Sequence, residues 1–234
     1  MNGGLLIGTL AVGAGAVAQA VTGIGFSLVC APILIATAGS HEGVRLVNTL
    51  AAMINVLVLI RGRRDVRVRD AASLLVPAVI ATPLLAVAVR HVPGRTLAIA
   101  AGVLTIGSAA ALASGLRLHI ARGRVGAAGA GIVSATMNVI GGIGGPAAAM
   151  YAYNADWPAS STRATLQVFF LVLNVVTVAS LGLPQLHLVY LLGLVGGLAI
   201  GVAISRRVEE HHARAVTLVI AAAGGAVAII RAVI

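Results

Sequence analysis

The chain has 234 residues, of which 59% are apolar, 9% charged and 3% aromatic, with a mean hydropathy of +1.06. That leaves too little polar surface to cover a soluble globule, and too few rings for a base-stacking platform despite a formal charge of +10. Every one of the 16 basic residues is arginine, and most fall between apolar runs, a pattern of membrane orientation rather than of nucleic-acid binding.

Uncharged runs cover residues 1–40, 46–60, 71–89, 96–116, 125–155, 164–205 and 215–230, and about 20 such residues suffice to cross a bilayer. The first run has no basic stretch before it, so it is expected to stay as a span rather than be cleaved as a signal. As one straight helix it would extend about 60 Å, roughly twice the hydrocarbon thickness, so it must break. Gly23-Ile24-Gly25 is the place where helix propensity fails. Arg61-Gly62-Arg63-Arg64 closes the next span, and Pro93-Gly94 turns the following pair. The run 125–155 breaks at Gly141-Gly142-Ile143-Gly144-Gly145-Pro146, where Pro146 suits the first turn of a new helix. Tyr151, Tyr153 and Trp157 cluster at its exit and are expected to act as interfacial anchors. Leu183-Pro184 then splits 164–205 into two helices.

A shift of 119 positions lays Gly23-Ile24-Gly25 on Gly142-Ile143-Gly144, Asn55-Val56 on Asn174-Val175 and Arg95 on Arg214, with Gln19 on Asn138 and Asn48 on Gln167. The matches fall on uncommon polar and glycine positions. The expected fold is therefore an all-α polytopic membrane protein, a single transmembrane domain of two homologous halves. Each half is a glycine-broken helical hairpin plus three transmembrane helices, over residues 1–116 and 125–234, joined by a basic loop at 117–124. Arginine counts choose the relative orientation. If each broken segment returns to its starting side, the halves are inverted repeats, and twelve arginines lie inside against four outside: Arg45, Arg90, Arg95 and Arg231. Halves of equal orientation give nine against seven, a poorer fit to the positive-inside rule.

Two breaks at matching places point to a site near the membrane midplane, because lipid cannot satisfy the freed backbone groups. Half-helices beginning near Gly25 and Gly145 would aim N–H groups and partial positive charge into it, which suits an oxyanion. Gly23, Gly142 and Gly144 would let the backbone approach the ion closely, although glycines also permit simple close helix packing. Gln19, Thr22, Asn48, Asn55, Asn138, Gln167 and Asn174 surround the breaks, either as lining of a shared polar cavity or as hydrogen-bonding glue between helices. Thr22 could instead bond back to its own helix. Arg163, just before a span, either steers anions or is an ordinary interfacial arginine. Glu42, Asp65, Asp70, Asp156, Glu209 and Glu210 all sit at span ends or in loops, as do the six histidines, so no mid-membrane proton relay is expected. That favours uniport or potential-driven movement.

The paired glycine motifs Thr22-Gly23-Ile24-Gly25-Phe26 and Gly142-Ile143-Gly144-Gly145-Pro146, each preceded by an amide and followed by an asparagine in the next helix, resemble the TauE/SafE family. Phe26 and Ser27 depart from the further glycines often found in the first motif. The resemblance spans essentially the whole chain. It implies a bacterial cytoplasmic-membrane transporter of sulfite, sulfonates or related anions, with a small anionic substrate and lipid as its partners and with no cofactor.

An enzyme reading fails on the residues. His41-Glu42 opens a metalloprotease-like string, but Arg45 stands where the second histidine ligand belongs, so neither a metal nor a catalytic residue is assigned. An anion channel through the same cavity is the closer alternative, and saturable counter-transport would separate the two. Lipid-facing and partner-facing helices share one composition, so no oligomeric state is assigned.

Overall fold

The computed structural model describes residues 3–62, 65–115, 123–205 and 207–234. Ten helices run in chain order: α1 (Gly3–Thr22), α2 (Phe26–Ala38), α3 (Ser40–Gly62), α4 (Val68–Arg90), α5 (Gly94–Ala113), α6 (Gly123–Gly141), α7 (Gly145–Asn154), α8 (Ala159–Leu181), α9 (Leu188–Ile204) and α10 (Glu210–Val233). There is no strand among the described residues. Helices α1, α3, α4, α5, α8 and α10 contain the 6 segments long and apolar enough to cross a membrane, while α2 and α9 are apolar but shorter. At 1.5 Å per residue, the ten residues of α7 reach only about 15 Å, half the hydrocarbon thickness.

Each predicted break occurs where glycine permits it. Gly23 and Gly142 hold φ of +77° and +69°, a region that L side chains avoid, and these residues end α1 and α6. Pro146 occupies the first turn of α7, where its missing N–H costs nothing. Both broken pairs turn back. A Cβ placed on Gly4 would lie 3.7 Å from the Thr37 carbonyl oxygen, joining the start of α1 to the end of α2. The Tyr151 hydroxyl donates to the Gly123 carbonyl at 3.3 Å, joining α7 to the start of α6.

Polar contacts identify the helix ends that share a face. On one face Ser40 Oγ donates to the Gly94 carbonyl (2.6 Å), Arg90 to that of Ser180 (2.6 Å), Arg95 to that of Val233 (3.1 Å) and Arg231 to that of Ala36 (3.3 Å). Glu42 lies there too, paired with Arg45 at 2.8 Å and accepting from the Gln185 N–H. On the opposite face the Arg67 N–H donates to Thr165 Oγ1 (3.0 Å) and Arg214 to the Leu112 carbonyl (2.9 Å). Arg69 and Arg124 occupy helix starts on this second face, and Arg207 the turn between α9 and α10, together with the backbone of Arg61. Arg63, Arg64, Arg117, Arg122 and Arg206 lie outside the described residues. Of the predicted connector 117–124, residues 123 and 124 open α6, and the remainder is likewise outside them.

Two apolar clusters make up most of the buried core of the described residues. One apolar cluster joins α1, α2 and α3 to α9, through residues such as Val12, Cys30, Leu50 and Leu194. The other joins α6, α7 and α8 to α4, through Ala135, Ala149, Phe169 and Leu74. The fourth member of each cluster is thus borrowed from the other end of the chain, so neither half could bury its core alone. Small residues bring the borrowed helix close: a Cβ on Gly193 would meet the Thr9 carbonyl oxygen at 2.8 Å, a seam that only glycine permits.

Of the three expected interfacial anchors, Tyr153 is 40% exposed and Tyr151 is buried. Tyr151 stands edge-on to Trp157, with ring centroids 5.8 Å apart. Tyr153 and Trp157 line an internal vestibule, where Arg214 lies 5.6 Å from the Tyr153 ring. Arg67 likewise lies 5.5 Å from the Trp157 ring.

Candidate anion site at the two helix breaks

The breaks meet. A Cβ on Gly145 would contact Ile24 Cγ2 at 3.6 Å, and between the two turns lies a cavity of about 40 Å³. Its walls include Gln19, Gly25 and Asn55 from the first break and its following helix, and Asn138, Gly144, Gly145 and Asn174 from the second. No charged side chain lines it. A larger vestibule of about 680 Å³ opens towards the arginine-rich face and touches Gln19, Thr22, Gly23, Arg163 and Gln167, with Asp65 and Arg214 at its rim. Asn48 and Gly142 border neither space.

The amides divide into those that hold the breaks and those that face the cavity. Gln19 Oε1 accepts from the N–H groups of Gly25 (3.0 Å) and Phe26 (3.2 Å), and Asn138 Oδ1 accepts from that of Gly144 (3.2 Å). The side chain that ends one helix therefore caps the next. The N–H groups of Gly25, Phe26 and Gly144 are thus satisfied within the chain, so an anion drawn to the half-helices expected to begin near Gly25 and Gly145 would have to use other donors of those turns. Across the breaks, Gln19 Nε2 approaches Gln167 Oε1 at 3.4 Å, and Gln167 Nε2 donates to the Gly23 carbonyl at 3.0 Å. Asn138 Nδ2 lies within bonding range of Asn48 Oδ1 (2.6 Å), Thr177 Oγ1 (2.9 Å) and Asn174 Oδ1 (3.2 Å). Asn48 Nδ2 in turn donates to the Val44 carbonyl of its own helix, so Asn48 links α3 to Asn138 of α6 without bordering the cavity.

Asn55 is the exception. It is only 3% exposed, lines the cavity, and has no hydrogen-bond partner among the described residues. Its polar atoms are not among the fully buried ones left without a partner; they face the cavity, where an occupant could bond them. Asn174 offers its Nδ2 beside it, because its Oδ1 is already taken by Asn138.

The glycines also separate by role. Gly23 and Gly142 are required for their positive φ. Gly25 and Gly144 are required for packing, since a Cβ would lie 2.9 Å from Ala18 Cβ in one case and 2.8 Å from the Ser134 carbonyl oxygen in the other. Gly145 is required for neither, because its nearest neighbours stand at an ordinary 3.6 Å. Thr22 does bond back to its own helix, donating to the Ala18 carbonyl at 2.8 Å. Arg163 packs over the first break, with its Nε 2.9 Å from where a Gly23 Cβ would be.

Sequence reading missed Thr177, Phe170 and Ser27. Phe170 and Ser27 line the cavity, and Thr177 joins the amide lattice. A signal existed for two of them: Gln167, Phe170, Asn174 and Thr177 recur at three- and four-residue intervals on one face of α8. Ser27 carried no such signal, since a serine in the first turn of a helix is common on local grounds.

A bundle of apolar helices, broken at two facing turns around a small neutral polar cavity with a wide approach from one side, defines a multi-pass membrane transporter. The chain belongs to the TauE/SafE family, described as sulfite exporters: the family model matches residues 7–228, nearly its whole length. No curated protein and no solved structure matches it significantly.

Proposed function

We propose that the protein carries small sulfur oxyanions, sulfite first among them, across the cytoplasmic membrane of a bacterium, with the central cavity near the midplane as the seat of the anion. The observation that carries this reading is the unpartnered Asn55 amide beside Asn174 in a cavity lined by both helix breaks. Neutral donors can replace part of an oxyanion's hydration without holding it as a fixed charge would. About 40 Å³ is room for a few water-sized groups, each needing about 10–15 Å³, which suits an inorganic oxyanion or the head of a sulfonate whose tail stays in the vestibule. Arg163 and Arg214 would gather anions at that approach.

The same reading takes residues 1–116 and 125–234 as inverted repeats. The offset of 119 lays α3 on α8 at both bounds, and it exchanges the helix sets of the two apolar clusters. It also turns the Gln19–Gln167 pair into Asn138–Asn48. Each half then makes three net crossings, with the arginine-rich face inside. A reporter fused in the α3–α4 loop is expected to respond as cytoplasmic, and an external response there would overturn the orientation.

No carboxylate lines the central cavity, so the driving force is the membrane potential, worth about 2.3 kcal/mol per charge per 100 mV toward export. The test is flux of radiolabelled sulfite, thiosulfate and a small sulfonate in liposomes holding the purified protein, with potentials of both signs. Saturable sulfite flux that follows the potential and is accelerated by sulfite on the far side is expected. Non-saturable flux would make the protein a channel, and a folded protein silent to all three would reject the substrate class.

Neighbouring glycines offer a second check. Gly145→Ala is expected to fold and yet lose sulfite flux, because its methyl group enters the cavity without meeting backbone. Gly144→Ala, aimed at the Ser134 carbonyl, should instead reduce the yield of monodisperse protein in detergent. Equal behaviour of the two would mean that the cavity has no special role.

A further inference from the structure

On the arginine-poor face lies a third space, a pocket of about 240 Å³ bordered by His41, Val44, Arg45, Arg90 and Val139 among others. Resting on the two-half reading above, we propose that this pocket is the closed outer counterpart of the vestibule. The Gln19–Gln167 and Asn48–Asn138 pairs are then the two gates that open in alternation. The offset of 119 carries Ala20 of the vestibule onto Val139 of the pocket, and carries His41 and Val44 of the pocket onto Ser160 and Arg163 of the vestibule. Equivalent positions thus line both openings, one of them wide and the other narrow.

The barriers between these openings and the central cavity are also equivalent. Gln19 and Ile24 border both the vestibule and the cavity, so the Gln19–Gln167 pair stands at the inner boundary. Asn138 borders the cavity, and the adjacent Val139 borders the outer pocket, so the Asn48–Asn138 pair stands at the outer boundary. The two are closed to different degrees. The inner contact is long, 3.4 Å, whereas the outer one is short, 2.6 Å, with Thr177 and Asn174 also in range of the same nitrogen. The wide vestibule and the narrow outer pocket make this the state that faces the arginine-rich side, with Gln167 still held to the Gly23 carbonyl at 3.0 Å.

Amides suit such a gate because an oxyanion competes for the same donors. When the anion accepts from Asn138 Nδ2, the contact to Asn48 weakens, and when it accepts from Gln19 Nε2, the contact to Gln167 weakens. The anion can shift the equilibrium only through this difference in what it touches in each state. Two packed blocks that exchange around a fixed site then move it from one face to the other.

Cysteine labelling tests this on the full-length protein in liposomes, in a Cys30→Ala background. Ala20→Cys and Val139→Cys are each treated with a charged, membrane-impermeant methanethiosulfonate from either face. Ala20→Cys should react from the arginine-rich face. Val139→Cys, now 1% exposed, should react only from the arginine-poor face. Its rate should be lower by about 10- to 1,000-fold, since a minor conformer is populated at roughly 0.1–10%. Adding Asn48→Ala should speed labelling of Val139→Cys and slow that of Ala20→Cys, and adding Gln167→Ala should do the reverse. If both sites accelerate together, the pairs are structural glue and the gates are overturned. The gates are equally overturned if Val139→Cys never reacts from the arginine-poor face. Sulfite flux in the same liposomes keeps the readings apart: reciprocal labelling without flux rejects the substrate and upholds the gates, and flux without Val139→Cys labelling does the opposite.

Discussion

Asn55→Leu is expected to abolish most sulfite flux while leaving the fold as stable as before. The wild-type amide has no hydrogen-bond partner among the described residues and lines the cavity, so replacing it with an apolar group of similar size removes no internal hydrogen bond seen there. A hydrogen bond to a charged ligand is worth about 1.5–3 kcal/mol, so flux at limiting sulfite should fall by about 10- to 100-fold. The measurement pairs liposome flux with thermal unfolding in detergent. A lower unfolding temperature together with lower flux would assign Asn55 to packing instead. Unchanged flux in a stable protein would remove the observation on which the proposed site rests.

Asn138→Leu should do the reverse, unfolding the protein before function can be compared. This one amide caps the Gly144 N–H with its oxygen and reaches Asn48, Asn174 and Thr177 with its nitrogen. Its loss leaves the Asn48 oxygen and the Gly144 N–H buried with nothing to bond, at about 1–3 kcal/mol for each group. A total of roughly 2–6 kcal/mol would lower the unfolding temperature by about 4–24 °C for a chain of this size. Asn138→Gln, which keeps the amide on a longer stem, should recover less than half of that. If Asn138→Leu unfolded at the wild-type temperature, the lattice would be dispensable and the break would be held by packing alone. The contrast with Asn55 is the informative part, because composition treats the two asparagines as equals.

Much of the architecture could be read before any coordinates. The breaks at Gly23 and Gly142, the proline start of α7, the turn at Pro93-Gly94 and the division of residues 164–205 all lie where local chemistry puts them. The reason is that backbone in lipid has few alternatives to helix, so an interruption must be marked by residues that cannot continue one. The proposed repeat rests on a similar reason. Polar and glycine positions are rare in an apolar chain, and their coincidence at one offset carries information that Leu, Val and Ala do not.

Which amides face an ion and which hold helices together was not legible. Asn48 and Asn55 stand seven residues apart on one face of α3, and each has an amide counterpart in the second half. Yet Asn48 is sealed against Asn138 and Val44, and Asn55 opens into the cavity. The difference depends on which helix lies opposite each of them, and thus on the crossing of α3 with α6 and α8. The borrowing of α9 by the first cluster and α4 by the second was hidden in the same way, since a lipid-facing and a protein-facing surface have the same composition. Sequence by itself determined where the helices lie and where two of them break, because those are local responses of a backbone to lipid. Only tertiary structure decided which donors remain unpaired, because a hydrogen bond between distant helices depends on distances of a few tenths of an ångström that no spacing along the chain encodes.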